Sequence, residues 1–194
     1  MTEILFIRHG ETDYNKKHLY YGHLNPSLNT TGINQLKNTK KKLEELSEKI
    51  DIIFSSDLNR CRESLELLEI DKNIKKNFSE NLRELNFGIL EGKTYKDIEK
   101  EFPHYIDEMK NNWKHFKAEG GESLSDLQKR SVAKINKIKN ECKNKKSQKN
   151  NSNTFFSIDY HVYPAAESIC ICRLAGKCKC SVGRCNTYGC RLGS

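Results

Sequence analysis

The sequence predicts an α/β protein, a three-layer α/β/α sandwich with a mainly parallel sheet. Short runs of branched apolar residues alternate with helical repeats along the chain, which is typical of a parallel sheet covered on both faces. Two of these runs end abruptly in polar residues, as buried strands do where an active site lies at the sheet edge. With 194 residues, the chain is long enough for one domain with a substantial core.

The first half of the chain predicts the order strand, helix, strand, helix. The apolar run 4–7 predicts a buried strand. A helix follows it from Thr31, with Thr30 or Thr31 as its N-cap. The apolar run 52–55 predicts a second buried strand, and a further helix begins near Leu58.

The second half predicts a loop and then mainly helices. Glycines indicate an extended loop between layers, and a later polar stretch without apolar residues is typical of a surface loop or linker. In chain order these segments are the loop 82–92, the helices 95–102, 105–116 and 124–138, the linker 143–153 and a possible strand 154–158.

Composition excludes several classes of protein. Hydrophobic residues make up 36% and charged residues 31% of the chain, and no run of about eighteen apolar residues could cross a bilayer. The N-terminus lacks the features of a signal peptide, so we expect a cytoplasmic protein without a membrane partner. The net charge of +8 comes from lysines interleaved with acids, which indicates solvated helix faces rather than a nucleic-acid surface.

Arg8, His9 and Gly10 carry the sharpest chemical signal. They place an imidazole at the end of a predicted strand, beside a guanidinium and before a residue that lets the backbone approach a ligand. An arginine can hold two phosphate oxygens while a neutral histidine attacks the phosphorus in line. Alone, however, these residues could equally form an ordinary surface pair.

Three ordered blocks resemble the histidine phosphatase superfamily, the phosphoglycerate-mutase-like enzymes. The first is Arg-His-Gly-Glu-Thr at 8–12, followed by Asn15, and it resembles the opening motif of the family. The second, at 55–64, is similar to the family's Ser-x-Leu-x-Arg-x-x-x-Thr/Ser motif. The third, at 82–92, resembles the segment that carries the family's proton donor. The α/β/α sandwich of this family agrees with the element order above.

The resemblance implies roles for five residues. His9 is the nucleophile and Glu84 the acid, while Arg8, Asn15 and Arg60 bind the substrate phosphate. Neither a metal nor another cofactor is implied. The alternatives are structural: Arg60 as a helix-surface arginine, Glu84 as a surface carboxylate and Asn15 as a turn residue.

The resemblance implies a phosphomonoester hydrolase that acts through a phosphohistidine, with a small-molecule phosphomonoester as its substrate. The segments 20–29 and 120–123 are similar to the forms found in α-ribazole phosphatases, which suggests a role in cobalamin synthesis. A phosphoglycerate mutase is a further alternative, but the chain looks too short for the insertions that mutases carry around the substrate pocket.

The resemblance ends before the C-terminus. The family's closing strand and helix are not recognisable, so the α/β/α sandwich that the resemblance implies is incomplete in its C-terminal part. It covers residues 1–158, the predicted histidine phosphatase domain, whereas 159–194 form an atypical cysteine-rich tail. The family's second histidine, in Ser-His-Gly, is missing, and His161 is the candidate to replace it. Six cysteines between Cys170 and Cys190 could form disulfides or bind zinc, or the tail could be a non-native segment. The alternative function is therefore a catalytically impaired remnant, or a protein that binds metal through this tail.

Overall fold

The computed structural model describes residues 3–45, 50–148 and 170–173. Its strands are β1 (Glu3–Phe6), β2 (Ile52–Ser55), β3 (Lys75–Phe78) and β4 (Cys170–Arg173). Its helices are α1 (Asp13–Lys16), α2 (Thr30–Glu45), α3 (Asn59–Leu67), α4 (Tyr95–Glu101), α5 (Pro103–Asn111) and α6 (Leu124–Gln148). Of two 3₁₀ turns, Gly88–Leu90 lies within the predicted loop 82–92, and Glu80–Leu82 lies immediately before it and ends at its first residue.

The described strands pair in two ways. β2 pairs in parallel with β3, with Ile52 opposite Lys75. β1 pairs antiparallel with β4, with Glu3 opposite Arg173. β3 is not predicted from the sequence, because its side chains are largely exposed and the segment carries no apolar run. β4 belongs to the segment that the sequence assigns to the cysteine-rich tail.

Helices cover both faces of β2. Successive residues of a strand point to opposite sides, so neighbouring residues of β2 contact different helices. Ile53 packs in a cluster with Leu36 of α2 and Leu65 of α3. Ile52 points the other way and packs with Ile138 of α6. The predicted α/β/α sandwich is therefore confirmed, with α2 and α3 on one face and α6 on the other.

The N-cap of α2 differs from the prediction. The side chain of Asn29 accepts a hydrogen bond of 2.9 Å from the backbone N–H of Gly32. Thr30 and Thr31, the predicted caps, are the first two helical residues instead. Asparagine caps a helix as well as threonine does, so the chain takes the polar side chain that lies one position earlier.

The helix boundaries of the second half need two further corrections. The predicted helix 105–116 begins at Pro103 and ends at Asn111, because proline is favoured in the first helical turn. The predicted linker is helical over 143–148, since α6 continues to Gln148 through polar residues that contain neither glycine nor proline. The possible strand 154–158 lies outside the described residues. Over the part of the chain that is described, the helices lack the combination of length and apolar character needed to cross a membrane.

Candidate active site

His9 lies directly beyond the end of β1 and is only 7% exposed. Its Nδ1 atom lies 2.7 Å from the carbonyl oxygen of Gly10. Because a carbonyl oxygen can only accept a hydrogen bond, Nδ1 must carry the proton. The neutral ring then has its lone pair on Nε2, and this is the nitrogen that can act as a nucleophile.

Gly10 joins the strand end to the helices α2 and α3. A Cβ atom at this position would lie 2.5 Å from the carbonyl oxygen of Gly32, so only glycine allows α2 to approach so closely. The N–H of Gly10 donates to the Ser64 hydroxyl of α3 at 3.3 Å. That hydroxyl in turn donates to the carbonyl of Arg60, one turn earlier in the helix. The His9 segment is therefore tied to the helix that carries Arg60.

Arg60 is fully buried, at 0% exposure, so the alternative of a helix-surface arginine is wrong. Its guanidinium donates from Nη1 to the carbonyl of Leu24 at 3.0 Å and from Nη2 to the carbonyl of Gly22 at 2.9 Å. The guanidinium carbon also lies 4.9 Å from the ring centroid of Tyr21. A guanidinium has five N–H donors, so these two carbonyls do not use its full donor capacity.

Glu84 is 3% exposed, so the alternative of a surface carboxylate is also wrong. One of its carboxylate oxygens accepts from the N–H of Leu85 at 2.7 Å. Arg130 of α6 donates to the backbone carbonyls of Arg83 and Glu84, each at 2.8 Å. The backbone that carries Glu84 is therefore attached to the helix on the far face of the sheet.

Arg130 also forms an ion pair with Glu122, which in turn accepts from the N–H of Asn86 at 3.1 Å. Both residues therefore brace the loop around Glu84. Sequence reasoning missed this role. Glu122 lies within 120–123, the segment that resembles α-ribazole phosphatases, but Arg130 carries no local signal beyond a charge on a helix.

The segments of Arg60 and Glu84 are in direct contact. A Cβ atom on Gly22, which accepts from Arg60, would lie 1.6 Å from the carbonyl oxygen of Leu85. The backbone of the loop therefore lies tightly against the residue that follows Glu84. Since α3 also contacts the segment of His9, a continuous series of contacts links the segments that carry His9, Arg60 and Glu84.

The other two predicted phosphate-binding residues lie near the same strand end. Arg8 is half-buried beside His9. Asn15 accepts from the N–H and the hydroxyl of Thr12, at 2.9 and 3.0 Å, and its own N–H donates back to that hydroxyl. These bonds form a capping box for α1, which is the structural role weighed for Asn15. Its role in phosphate binding stays a prediction.

His23, in the loop that Arg60 contacts, has a shifted pKa. Burial lowers the pKa of its imidazole below the ordinary 6.5, and the positive charge of Arg83 lowers it further. Both effects disfavour the charged ring. His23 is therefore predominantly neutral at pH 7 and adds no positive charge beside Arg60.

Within residues 3–45, 50–148 and 170–173, no group of three or more His, Cys, Asp or Glu side chains is arranged to hold a metal ion. His161 and the cysteines at 178–190 lie outside the described residues, and Cys170 and Cys172 lie on β4. The proposals of zinc binding, of disulfides and of a non-native tail therefore stay predictions.

The Asp57–Arg83 pair joins the end of β2 to the residue before Glu84 and predicts a pH dependence of stability. Arg83 donates from Nε to Asp57 at 2.7 Å and forms a second bond from Nη2. The hydrogen bonds from Arg83 lower the pKa of Asp57 below 3.8. A lowered pKa in the folded state stabilises the protein above the unfolded value, and that stabilisation disappears as the pH falls through the folded value.

We therefore expect Asp57→Asn to lower the free energy of unfolding by about 1 to 2 kcal/mol at pH 7, relative to the wild type. The difference should stay constant down to about pH 4 and shrink below it. Urea unfolding of both proteins from pH 7 to pH 2.5 measures this. A difference that is independent of pH over the whole range would contradict the prediction.

Comparison with known proteins identifies the family. A profile of the histidine phosphatase superfamily (branch 1) matches residues 4–147. The adenosylcobalamin/α-ribazole phosphatase of Escherichia coli is 29% identical over 135 residues, which cover 68% of this chain and 66% of that protein. A broad-specificity phosphatase of Saccharomyces cerevisiae is 33% identical over 100 residues, which cover 50% of this chain and 44% of that protein.

A solved structure shows the same similarity. The α-ribazole phosphatase from Shigella flexneri superposes with a TM-score of 0.71 at 25% identity, covering 82% of this chain and 74% of that one. The chain spans 66% of the length of the Escherichia coli protein and 44% of the length of the Saccharomyces cerevisiae protein. The family profile alone covers well over half of the 194 residues. The chain therefore belongs to the histidine phosphatase superfamily, branch 1.

Proposed function

We propose that this protein hydrolyses phosphomonoesters through a phosphohistidine formed on His9. The proposal rests on the burial of His9, Arg60 and Glu84 and on the hydrogen bonds and backbone contacts that link their segments, in a chain of this family. The bond from Nδ1 to the carbonyl of Gly10 supports it further, because it leaves the lone pair of the neutral ring on Nε2.

In the first step, Nε2 of His9 attacks the phosphorus of the substrate in line with the ester oxygen. A bond forms between nitrogen and phosphorus, and the bond between phosphorus and the ester oxygen breaks. Glu84, in its protonated form, gives its proton to the departing oxygen, so the leaving group departs as an alcohol. Burial of this carboxyl group, at 3% exposure, supports the acid role.

In the second step, water attacks the phosphohistidine. The Glu84 carboxylate takes a proton from the water, and the bond between nitrogen and phosphorus breaks. Inorganic phosphate leaves, and both His9 and Glu84 return to their starting forms. Each turnover thus consumes one phosphomonoester and one water.

In this proposal, guanidinium groups stabilise the charge of the transferring phosphoryl group. Arg60 supplies a buried positive charge and Arg8, beside His9, a half-buried one. Asn15 is the proposed amide contact. This arrangement does the work that a divalent cation does in other phosphatases, so we expect turnover without added metal.

The substrate class is proposed from the relatives. Two phosphatases named for α-ribazole are similar to this chain, which makes an α-ribazole phosphate the first candidate and cobalamin synthesis the proposed context. A second candidate is the mutase reaction, because a phosphoglycerate mutase of Schizosaccharomyces pombe is 30% identical over 130 residues. The alternative of an impaired or metal-binding remnant follows from the missing second histidine motif.

The test is hydrolysis of p-nitrophenyl phosphate by the full chain, with and without a chelator, followed by α-ribazole 5′-phosphate and 3-phosphoglycerate. We expect chelator-resistant turnover and a higher kcat/KM for the α-ribazole ester. Isomerisation of 3-phosphoglycerate without phosphate release would support the mutase. Absence of turnover together with stoichiometric bound zinc would contradict the enzyme and support metal binding by the tail.

A further inference from the structure

The loop 22–24 lies between Arg60 on one side and Glu91 on the other. A single carboxylate oxygen of Glu91 accepts from the N–H groups of Gly22 and His23, at 3.1 and 2.7 Å. The second oxygen accepts from the N–H of Leu24 at 2.6 Å. Three successive backbone donors of this loop thus converge on one side chain, and charge-assisted bonds of this kind are stronger than neutral ones.

The peptide group that joins Gly22 to His23 bridges the two charges directly. Its carbonyl accepts from Nη2 of Arg60 at 2.9 Å, and its N–H donates to Glu91 at 2.7 Å. A peptide dipole held between a cation and an anion is polarised in the same direction by both, so each of its hydrogen bonds strengthens the other. Glu91 therefore fixes the carbonyl that orients the Arg60 guanidinium.

Both ends of this arrangement are anchored. The side chain of Asn25 accepts from the N–H of Asn59 at 2.6 Å and so ties the loop to the first residue of α3. On the other side, Leu90 is 1% exposed and packs against Ile98 of α4 in an apolar cluster. Glu91 thus follows a buried residue and contacts a loop that is hydrogen-bonded to α3 at its other end.

We propose that Glu91 is a positioning residue for phosphate binding: by holding loop 22–24, it sets the orientation of the Arg60 guanidinium. This inference rests on the proposed function, because it assigns a task to Arg60 in the same site. Glu91 does not touch the substrate in this proposal. Glu91 also accepts from the N–H of Phe87 at 3.3 Å, but we expect its effect on catalysis to pass through Arg60.

The test is a double-mutant cycle on the full chain, with Glu91→Gln and Arg60→Lys, read out by kcat/KM for p-nitrophenyl phosphate and by the inhibition constant of orthovanadate. Arg60→Lys keeps the charge but loses the planar fork that the two carbonyls hold. Glutamine has no charge and only one acceptor oxygen, so it weakens the three backbone contacts and replaces one acceptor by a donor. We therefore expect Glu91→Gln to lower kcat/KM by about 10- to 100-fold and to weaken vanadate binding by a similar factor. In the Arg60→Lys background the same change should have an effect of less than about threefold.

Glu101→Gln is the matched control, because it removes a carboxylate that pairs with Lys93 at 2.6 Å outside the site. It should leave both constants unchanged. If circular dichroism shows that Glu91→Gln is unfolded, Glu91→Asp replaces it in the cycle, because a shorter carboxylate keeps the charge and still misplaces the loop.

The outcomes separate this inference from the proposed function. Equal effects of the Glu91 change in both backgrounds, with an active wild type, would overturn the positioning role alone. A wild type that neither turns over the ester nor binds vanadate would overturn both proposals. A loss confined to thermal stability, with kcat/KM and the vanadate constant unchanged, would also overturn the positioning role.

Discussion

His9→Ala is expected to abolish phosphatase activity, with a loss of at least about 10,000-fold in kcat, because the proposed covalent intermediate cannot form without the imidazole. One hydrogen bond that the substitution removes is local, because it joins Nδ1 of His9 to the carbonyl of the adjacent residue, Gly10. The measurement is p-nitrophenyl phosphate hydrolysis, combined with rapid quenching of the wild type to detect an acid-labile phosphoryl label. That label should be absent from the variant.

The control for this prediction is His115→Ala, which removes an exposed histidine and should retain full activity. Circular dichroism and thermal unfolding show whether the variants are folded. Wild-type levels of turnover in His9→Ala would rule out the phosphohistidine mechanism. An acid-labile label on a residue other than His9 would reassign the nucleophile.

Glu84→Gln is expected to separate the two steps of the reaction. Glutamine keeps the shape and an oxygen that can accept from Leu85, but it cannot give a proton to the leaving group. For an alkyl phosphate, kcat/KM should fall by about 100- to 10,000-fold, the usual contribution of a general acid. With p-nitrophenyl phosphate the first step should be largely spared, because nitrophenolate leaves without a proton.

Since Glu84 also acts as the base in the second step, the variant should accumulate phosphohistidine with the aryl substrate. We therefore expect a burst of nitrophenol equal to the enzyme concentration, followed by slow turnover. Stopped-flow absorbance measures this directly. Glu99→Gln, a change at an exposed carboxylate of α4, is the control. An equal fall in kcat/KM for the alkyl and the aryl substrate would argue against Glu84 as the proton donor.

The strands and helices that the sequence predicts correctly share one property: their local composition matches their burial. The run 52–55 is apolar, and all four residues of β2 are buried. β3 is not predicted because three of its four residues are polar and its side chains are mostly exposed, while its pairing depends on backbone hydrogen bonds that any residue except proline can make. The continuation of α6 past Cys142 is likewise not predicted, because its residues are polar and composition alone does not distinguish a solvated helix from a linker.

The predicted site residues were those that lie in linear blocks. His9, Arg60 and Glu84 were assigned from their motifs, and the structure adds that all three are buried. Glu91 lies in the same block as Glu84, yet its role was not found, because the hydrogen bond that reveals it joins residues 69 positions apart. Arg130 was missed for the same reason, since its bond to the carbonyl of Glu84 spans 46 positions.

The sequence by itself determined the family, the order of most elements and the candidate chemistry of the site, because each of these depends on residue types at short and regular spacings. Only the tertiary structure decided that Arg60 is held by the carbonyls of loop 22–24 and that Glu91 holds the opposite side of that loop. The physical reason is that orientation of a buried charge depends on donors and acceptors from distant segments. Their convergence is a property of the packed chain and leaves no local trace in the sequence.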